Sequence, residues 1–111
     1  MYTLSDRRVL SVEEDEVVIK DSKNNNSIKI PAKRWATFRL QFDEIENAVS
    51  KLREKQYVKY FQHIGGGWYV SVSTGFYCVD IRRFYKKDGE LRPTREGLAL
   101  RLFEWTELQV F

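Results

Sequence analysis

One cysteine, Cys78, and one histidine, His63, are all this chain has of two residue types that commonly hold metals or attack substrates. A lone thiol excludes an internal disulfide framework and suits a reducing compartment. A lone imidazole excludes a histidine-rich metal site and leaves any catalytic triad resting on one side chain. Cys78 falls mid-strand with no obvious base, and Gly65-Gly66-Gly67 lacks the lysine and hydroxyl of a phosphate-cradling loop. An enzyme, a metal and a cofactor are therefore not expected. Apolar length is scarce too. No run approaches the roughly 20 residues of a membrane helix, and the opening MYTLSDRRVL lacks the apolar segment of a secretion signal. The expectation is a soluble, unsecreted, intracellular protein with no membrane partner.

Rings and charge are abundant. Aromatics make up 14%, charged residues 32% and hydrophobic residues 42% of 111 residues, a composition for one domain with a modest core rather than for disorder. The net charge of +3 and the pI of about 9.0 are too small an excess to imply a polyanion partner, so placement decides. Within residues 82–95, six basic residues (Arg82, Arg83, Lys86, Lys87, Arg92, Arg95) meet two acidic ones (Asp88, Glu90), a local net charge of +4 against −1 for the remainder. Glu13, Glu14, Asp15 and Glu16 form an acidic run near the start, read as a solvated edge.

Val17-Val18-Ile19 reads as a strand and Lys23–Asn26 as a turn. Ser27-Ile28-Lys29-Ile30 alternates as a half-buried strand, which Pro31 ends. Beyond it, Trp35, Phe38, Phe42, Ile45, Val49 and Leu52 are spaced three, four, three, four and three, a seven-residue repeat on one helical stripe. The spacing predicts a long amphipathic helix from Ala32 to about Lys55, buried against a sheet. The strict heptad adds a second use for the same stripe, contact with another helix. Trp68–Ser73 alternates and Thr74-Gly75 signals a hairpin. Phe76–Tyr85 follows as a strand, with Val79 and Ile81 on one face and Cys78, Asp80, Arg82 and Phe84 on the other. Lys86–Gly89 turns the chain, Leu98-Ala99-Leu100 alternates again, and Phe103 to Phe111 reads as a terminal helix.

An internal echo runs through these elements. Ile28-Lys29-Ile30 precedes Trp35 with the spacing by which Leu98-Ala99-Leu100 precedes Trp105, and Val17-Val18-Ile19 matches Val79-Asp80-Ile81. The pattern suggests a duplicated strand-strand-helix unit. The second copy is longer by the basic segment, which its turn residues and Pro93 mark as a loop.

The run Trp68-Tyr69-Val70-Ser71-Val72, then Val79-Asp80-Ile81-Arg82, is followed by Lys87-Asp88-Gly89-Glu90-Leu91-Arg92-Pro93. With Arg95-Glu96-Gly97-Leu98-Ala99-Leu100 and Trp105, it resembles the positive cofactor four (transcriptional coactivator p15) family. The resemblance covers residues 61–108, and Ile28 to Leu52 separately resembles the family's last strand and long helix. Glu96 stands where the family commonly has a lysine. The fold implied is α+β: curved antiparallel β-sheets, a long amphipathic helix and a duplicated unit. Residues 1–58 are expected to form a degenerate N-terminal unit and residues 59–111 a C-terminal unit carrying a basic sheet, together one globular body.

The family binds single-stranded DNA and acts in transcription. The resemblance therefore implies a transcriptional coactivator or regulator that binds single-stranded DNA or RNA with little sequence specificity. It would work in the nucleus of a eukaryote or in the cytoplasm otherwise. Arg82, Tyr85, Arg92 and Arg95 occupy nucleic-acid-contacting positions by resemblance. Arg83, Lys86 and Lys87 extend the positive field, and Trp68, Phe76 and Tyr77 are added as rings near that surface. The stripe of Trp35, Phe38, Phe42, Ile45, Val49 and Leu52 would pair helices, in a homodimer or an intramolecular pseudo-dimer. Asp80 beside Arg82 has a plainer reading as a structural ion pair. The rival function is a protein-interaction module that keeps the fold and docks transcription-machinery proteins.

Overall fold

A computed structural model describes residues 1–111 as eight strands and three helices. The strands are β1 (Tyr2–Thr3), β2 (Arg8–Glu13), β3 (Glu16–Asp21), β4 (Ser27–Pro31), β5 (Lys59–Gly65), β6 (Trp68–Ser73), β7 (Phe76–Lys87) and β8 (Glu90–Arg101). They make two four-stranded antiparallel sheets, β1-β2-β3-β4 and β5-β6-β7-β8, each a meander of sequence neighbours. The helices are α1 (Ala32–Leu40), α2 (Phe42–Arg53) and α3 (Leu102–Gln109). The fold is α+β with antiparallel sheets.

Alternation built most of the strands. In β6, Trp68, Val70 and Val72 are buried while Tyr69, Ser71 and Ser73 are half-buried. In β4, Ile28 and Ile30 are buried between exposed neighbours. Strands β1, β2 and β5 carry no such signal. In β2 only Leu10 is buried, and Val12 is 68% exposed. Pairing with β3 from Arg8↔Asp21 to Glu13↔Glu16 holds it instead.

Two sequence expectations need correction. The basic segment is not a loop. Residues 90–101 form one strand paired along β7, closed by a turn in which Asp88 and Gly89 both have positive φ, 53° and 79°, as a type I′ hairpin requires. Pro93 is tolerated because β8 is an edge strand, where a missing N–H leaves no ladder bond unmade. The single long helix is also broken. Gln41 (φ −102°, ψ 5°) separates α1 from α2. Its N–H bonds Phe38 O at 3.0 Å in a tightened last turn, and its carbonyl accepts from Ile45 N–H at 2.9 Å to start α2. Tyr60 Oη donates to Gln41 Oε1 at 3.0 Å, anchoring the break to β5.

The heptad stripe is spent inside the chain. Phe38, Ile45, Val49 and Leu52 belong to one cluster of 23 buried residues drawn from both sheets and all three helices. Packed against it, Phe42 meets Trp105 at 5.0 Å and Phe38 at 4.9 Å, both edge-on, and Phe111 meets Trp35 at 6.1 Å. Trp105 Nε1 donates to Glu46 Oε1 at 3.0 Å, joining α3 to α2. The second helix met by the stripe is α3 of the same chain.

A buried polar network fastens the halves. Arg8 in β2 donates through Nε to Asp21 in β3 at 3.1 Å and through Nη1 to Ala99 O in β8 at 2.6 Å. The same Nη1 reaches Glu104 in α3 at 3.3 Å. Arg7 completes a two-bond clasp on Asp21, at 2.8 and 3.3 Å. Glu104 also accepts from Ser5 Oγ at 2.6 Å and from Arg101 N–H at 2.9 Å. No buried side-chain polar atom lacks a partner, so these charges are compensated rather than stranded.

The echo reappears as register. Val17 pairs with Ile30 and Ile19 with Ile28; Val79 pairs with Leu100 and Ile81 with Leu98. A helix begins two residues after Ile30 and two after Leu100, at Ala32 and at Leu102.

Candidate nucleic-acid interface

The β5–β8 sheet buries one face and leaves the other open. Pairing places Phe61 opposite Ser71, His63 opposite Tyr69, and Tyr69 opposite Arg82 on that open face. The rings form a ladder. Tyr69 stacks on Phe61 (4.7 Å, 12° between planes) and on His63 (4.5 Å, 21°), and Phe84 meets Tyr69 and Phe61 edge-on at 5.2 and 5.3 Å. Phe61 is 44% exposed, so the ladder offers π-surface to solvent. Beside it runs a trough of about 510 Å³ whose lining includes Ser71, Phe76, Cys78, Arg82, Phe84 and Pro93.

Arg82 occupies the face that alternation assigns it, opposite to buried Val79 and Ile81. Its guanidinium is engaged: Nε and Nη2 donate to the Asp80 carboxylate at 3.2 and 3.1 Å, and Nη1 to Thr94 O at 2.9 Å. The plainer reading of Asp80 holds. Arg82 brings oriented donors to the trough and little net charge. Gly97, its cross-strand partner, leaves room for it, since a Cβ there would stand 2.7 Å from Arg82 Cγ.

Net charge comes from the ribbon where β7 and β8 run on beyond β6. No ion pair involves Lys86, Lys87 or Arg95. Arg92 meets Glu90 at 3.4 Å and Arg83 meets Glu96 at 3.6 Å, in pairs whose four side chains are roughly half exposed or more. Such pairs are worth about 0–1 kcal/mol and yield readily to a phosphate. Tyr85, opposite Arg92, is exposed on the same ribbon.

Six predicted residues are not brought to this face. Trp68 is 2% exposed and belongs to the core with Val70 and Val72. Arg83 pairs with Trp68, and both line a separate cavity. Tyr77 is exposed but alternates to the side of Val79, as do Tyr85 and Lys87 farther along β7 and, across from Tyr85, Arg92. Three others, Phe61, His63 and Tyr69, were missed. Only the β5–β6 register, which no sequence pattern announced, sets them beside Phe84.

Cys78 lines the trough at half burial. Desolvation, reinforced by Asp80, pushes its pKa up, so it remains a thiol at neutral pH and is a poor nucleophile.

Three antiparallel strands, the last two rich in basic residues, and a capping helix thus make up residues 70–110. This stretch matches the family described as Transcriptional Coactivator p15 (PC4). The resemblance read from the sequence holds for this segment. No curated protein and no solved structure matches the chain. The PC4 match takes in most of β6, all of β7, β8 and α3, and therefore Arg82, Phe84 and the ribbon cations. Phe61, His63 and Tyr69 precede it. No helix is long and apolar enough to cross a membrane.

Proposed function

We propose that the chain binds single-stranded nucleic acid on the open face of the β5–β8 sheet, as a non-enzymatic transcriptional coactivator or regulator working in the nucleus if the cell is eukaryotic and in the cytoplasm otherwise. The observation that carries this reading is the ring ladder of Phe61, His63, Tyr69 and Phe84 beside the Arg82 trough. Unpaired bases need flat apolar faces, and unscreened phosphates need cations. The ladder supplies the first; Lys86 on the same face, with Arg95 and with Lys87 and Arg92 around the other side of the ribbon, supplies the second. Neither contact reads base edges, so little sequence preference is expected and DNA and RNA both fit. The PC4 match supports the same reading, because single-stranded DNA binding is that family's known property.

In this reading residues 1–58 and 59–111 are two copies of one unit, and the chain is its own pseudo-dimer. The equal strand registers and the contacts of α2 with α3 support it. Aligning Leu10↔Ile19 with Val70↔Ile81 sets Val9, Val18 and Lys20 against Tyr69, Asp80 and Arg82. The first sheet has no ring ladder at those positions, so binding is assigned to the second.

Cys78 offers a footprint. With a saturating oligothymidylate in the trough, alkylation of Cys78 should slow severalfold at mildly alkaline pH, while duplex DNA should protect far less. Equal alkylation with and without the oligonucleotide would argue against the trough. Protection by duplex alone would argue against the single-strand preference.

A further inference from the structure

A second cavity, of about 480 Å³, opens where the two halves meet and is lined by Lys29, Lys33, Arg34 and Arg83 against a single carboxylate, Asp15. Lys29, Lys33 and Arg34 take part in no ion pair, and Arg83 reaches only the exposed Glu96. Lys33 and Arg34 stand in the first turn of α1, which has neither an acidic residue nor a side-chain cap. Cations at that end oppose the helix dipole, and no ion pair within the chain compensates them. Arg34 is fitted in place over the β5–β6 turn, where a Cβ at Gly65 would collide with its guanidinium. Gly67 of the same turn donates its N–H to His63 Nε2 at 3.3 Å, and His63 stacks on Tyr69. The turn therefore joins the end of the ring ladder to the basic cavity.

We propose that this cavity binds phosphate groups of a single-stranded nucleic acid that leaves the ladder over the Gly65–Gly67 turn, so that the first half of the chain contributes phosphate contacts. The inference rests on the reading of the sheet given above. Grouped ammonium and guanidinium ions recognise phosphodiesters without regard to sequence. The acidic Glu13–Glu16 hairpin, which carries Asp15, repels a polyanion and bounds the track on that side.

Lys29→Ala/Lys33→Ala tests it, because both side chains are exposed and loss of the Lys33 charge relieves the helix dipole. The melting temperature should hold or rise. With an oligothymidylate of about 16 nucleotides, the variant should bind at least about tenfold more weakly near 0.1 M salt. The slope of log K against log salt should shrink by about 1.4, or roughly 0.7 for each lost contact. With about 5 nucleotides, enough for the sheet alone, it should bind as the wild type does. Lys33→Glu, which favours the helix, should reproduce the loss on the longer strand. Wild-type affinity of the variants at both lengths overturns the inference and leaves the reading of the sheet intact. A wild-type protein that binds neither length overturns that reading itself. If pyrophosphate raises the melting temperature of the wild type and not of the double variant, while oligonucleotide binding is independent of length, the cavity takes a free phosphate and the proposal fails.

Discussion

Asp21→Ala is expected to lower the stability of the fold by about 3–5 kcal/mol, a large part of the roughly 5–15 kcal/mol a domain possesses. The carboxylate is 1% exposed and accepts from Arg7, from Arg8 and from the backbone N–H of Lys23 at 2.9 Å. Alanine removes the anion and leaves Arg8, only 12% exposed, with Glu104 as its one charged partner. The strain falls on β2, in which Leu10 is the one buried residue. Asp6→Ala, at an exposed position two residues before Arg8, should change stability by less than about 0.5 kcal/mol. Urea midpoints at neutral pH measure both, and equal midpoints for Asp21→Ala and the wild type would mean that the network does not fasten the sheets.

The same carboxylate sets an acid limit. Its hydrogen bonds to Arg7 above all, then to Lys23 N–H and Arg8, outweigh its desolvation and hold its pKa well below the usual carboxylate range. A depressed folded-state pKa contributes stability that is fully present above the unfolded value of about 3.9 and is lost as pH falls toward the folded value. The wild type should therefore lose stability as pH drops below about 4. Asp21→Asn should lose less over that interval, starting from a lower plateau.

Tyr69→Ala carries the second large effect, on binding. Tyr69 is the middle rung of the ladder, in contact with Phe61, His63 and Phe84. Stacking on one aromatic is worth roughly 1–3 kcal/mol, so affinity for an oligothymidylate should fall roughly 5- to 150-fold. Phe61→Ala should produce a loss of the same kind, since its exposed ring is the ladder's outer face. Tyr57→Ala removes a ring that is 77% exposed and outside the ladder, and should leave affinity unchanged. Fluorescence anisotropy at fixed salt reads all three, with melting curves to establish that each variant is folded. Wild-type affinity in Tyr69→Ala would remove stacking on this face from the account.

Much of the architecture could be read before the coordinates. Alternation in β4, β6 and β7 set the buried faces correctly, and the three-four spacing found the buried stripe of α1 and α2. Even the burial of Trp68 was implicit, because it alternates in phase with Val70 and Val72. What stayed hidden depended on partners. Strand β5 shows polar and aromatic residues on both faces, so no period of two marks it, and its rings become a ladder only through pairing with β6. Gln41 is neither glycine nor proline, and nothing local foretells the helix break there. The Arg8–Asp21–Glu104 network joins residues far apart in sequence, beyond the reach of any local pattern. The basic segment was found as charge but not as structure. Its turn residues and proline suggested a loop, while edge pairing with β7 made it a strand.

Titration of the wild type with a labelled oligothymidylate over a range of salt, alongside Lys86→Ala/Lys87→Ala/Arg95→Ala, bears most directly on whether this sheet is a nucleic-acid surface. Three free cations on the β7–β8 ribbon should account for about 2 units of the slope of log K against log salt. The wild type should thus show a steep slope and the triple variant one shallower by that amount, both proteins remaining folded. Binding that is absent, or indifferent to salt in the wild type, would contradict the account and favour a surface that docks protein.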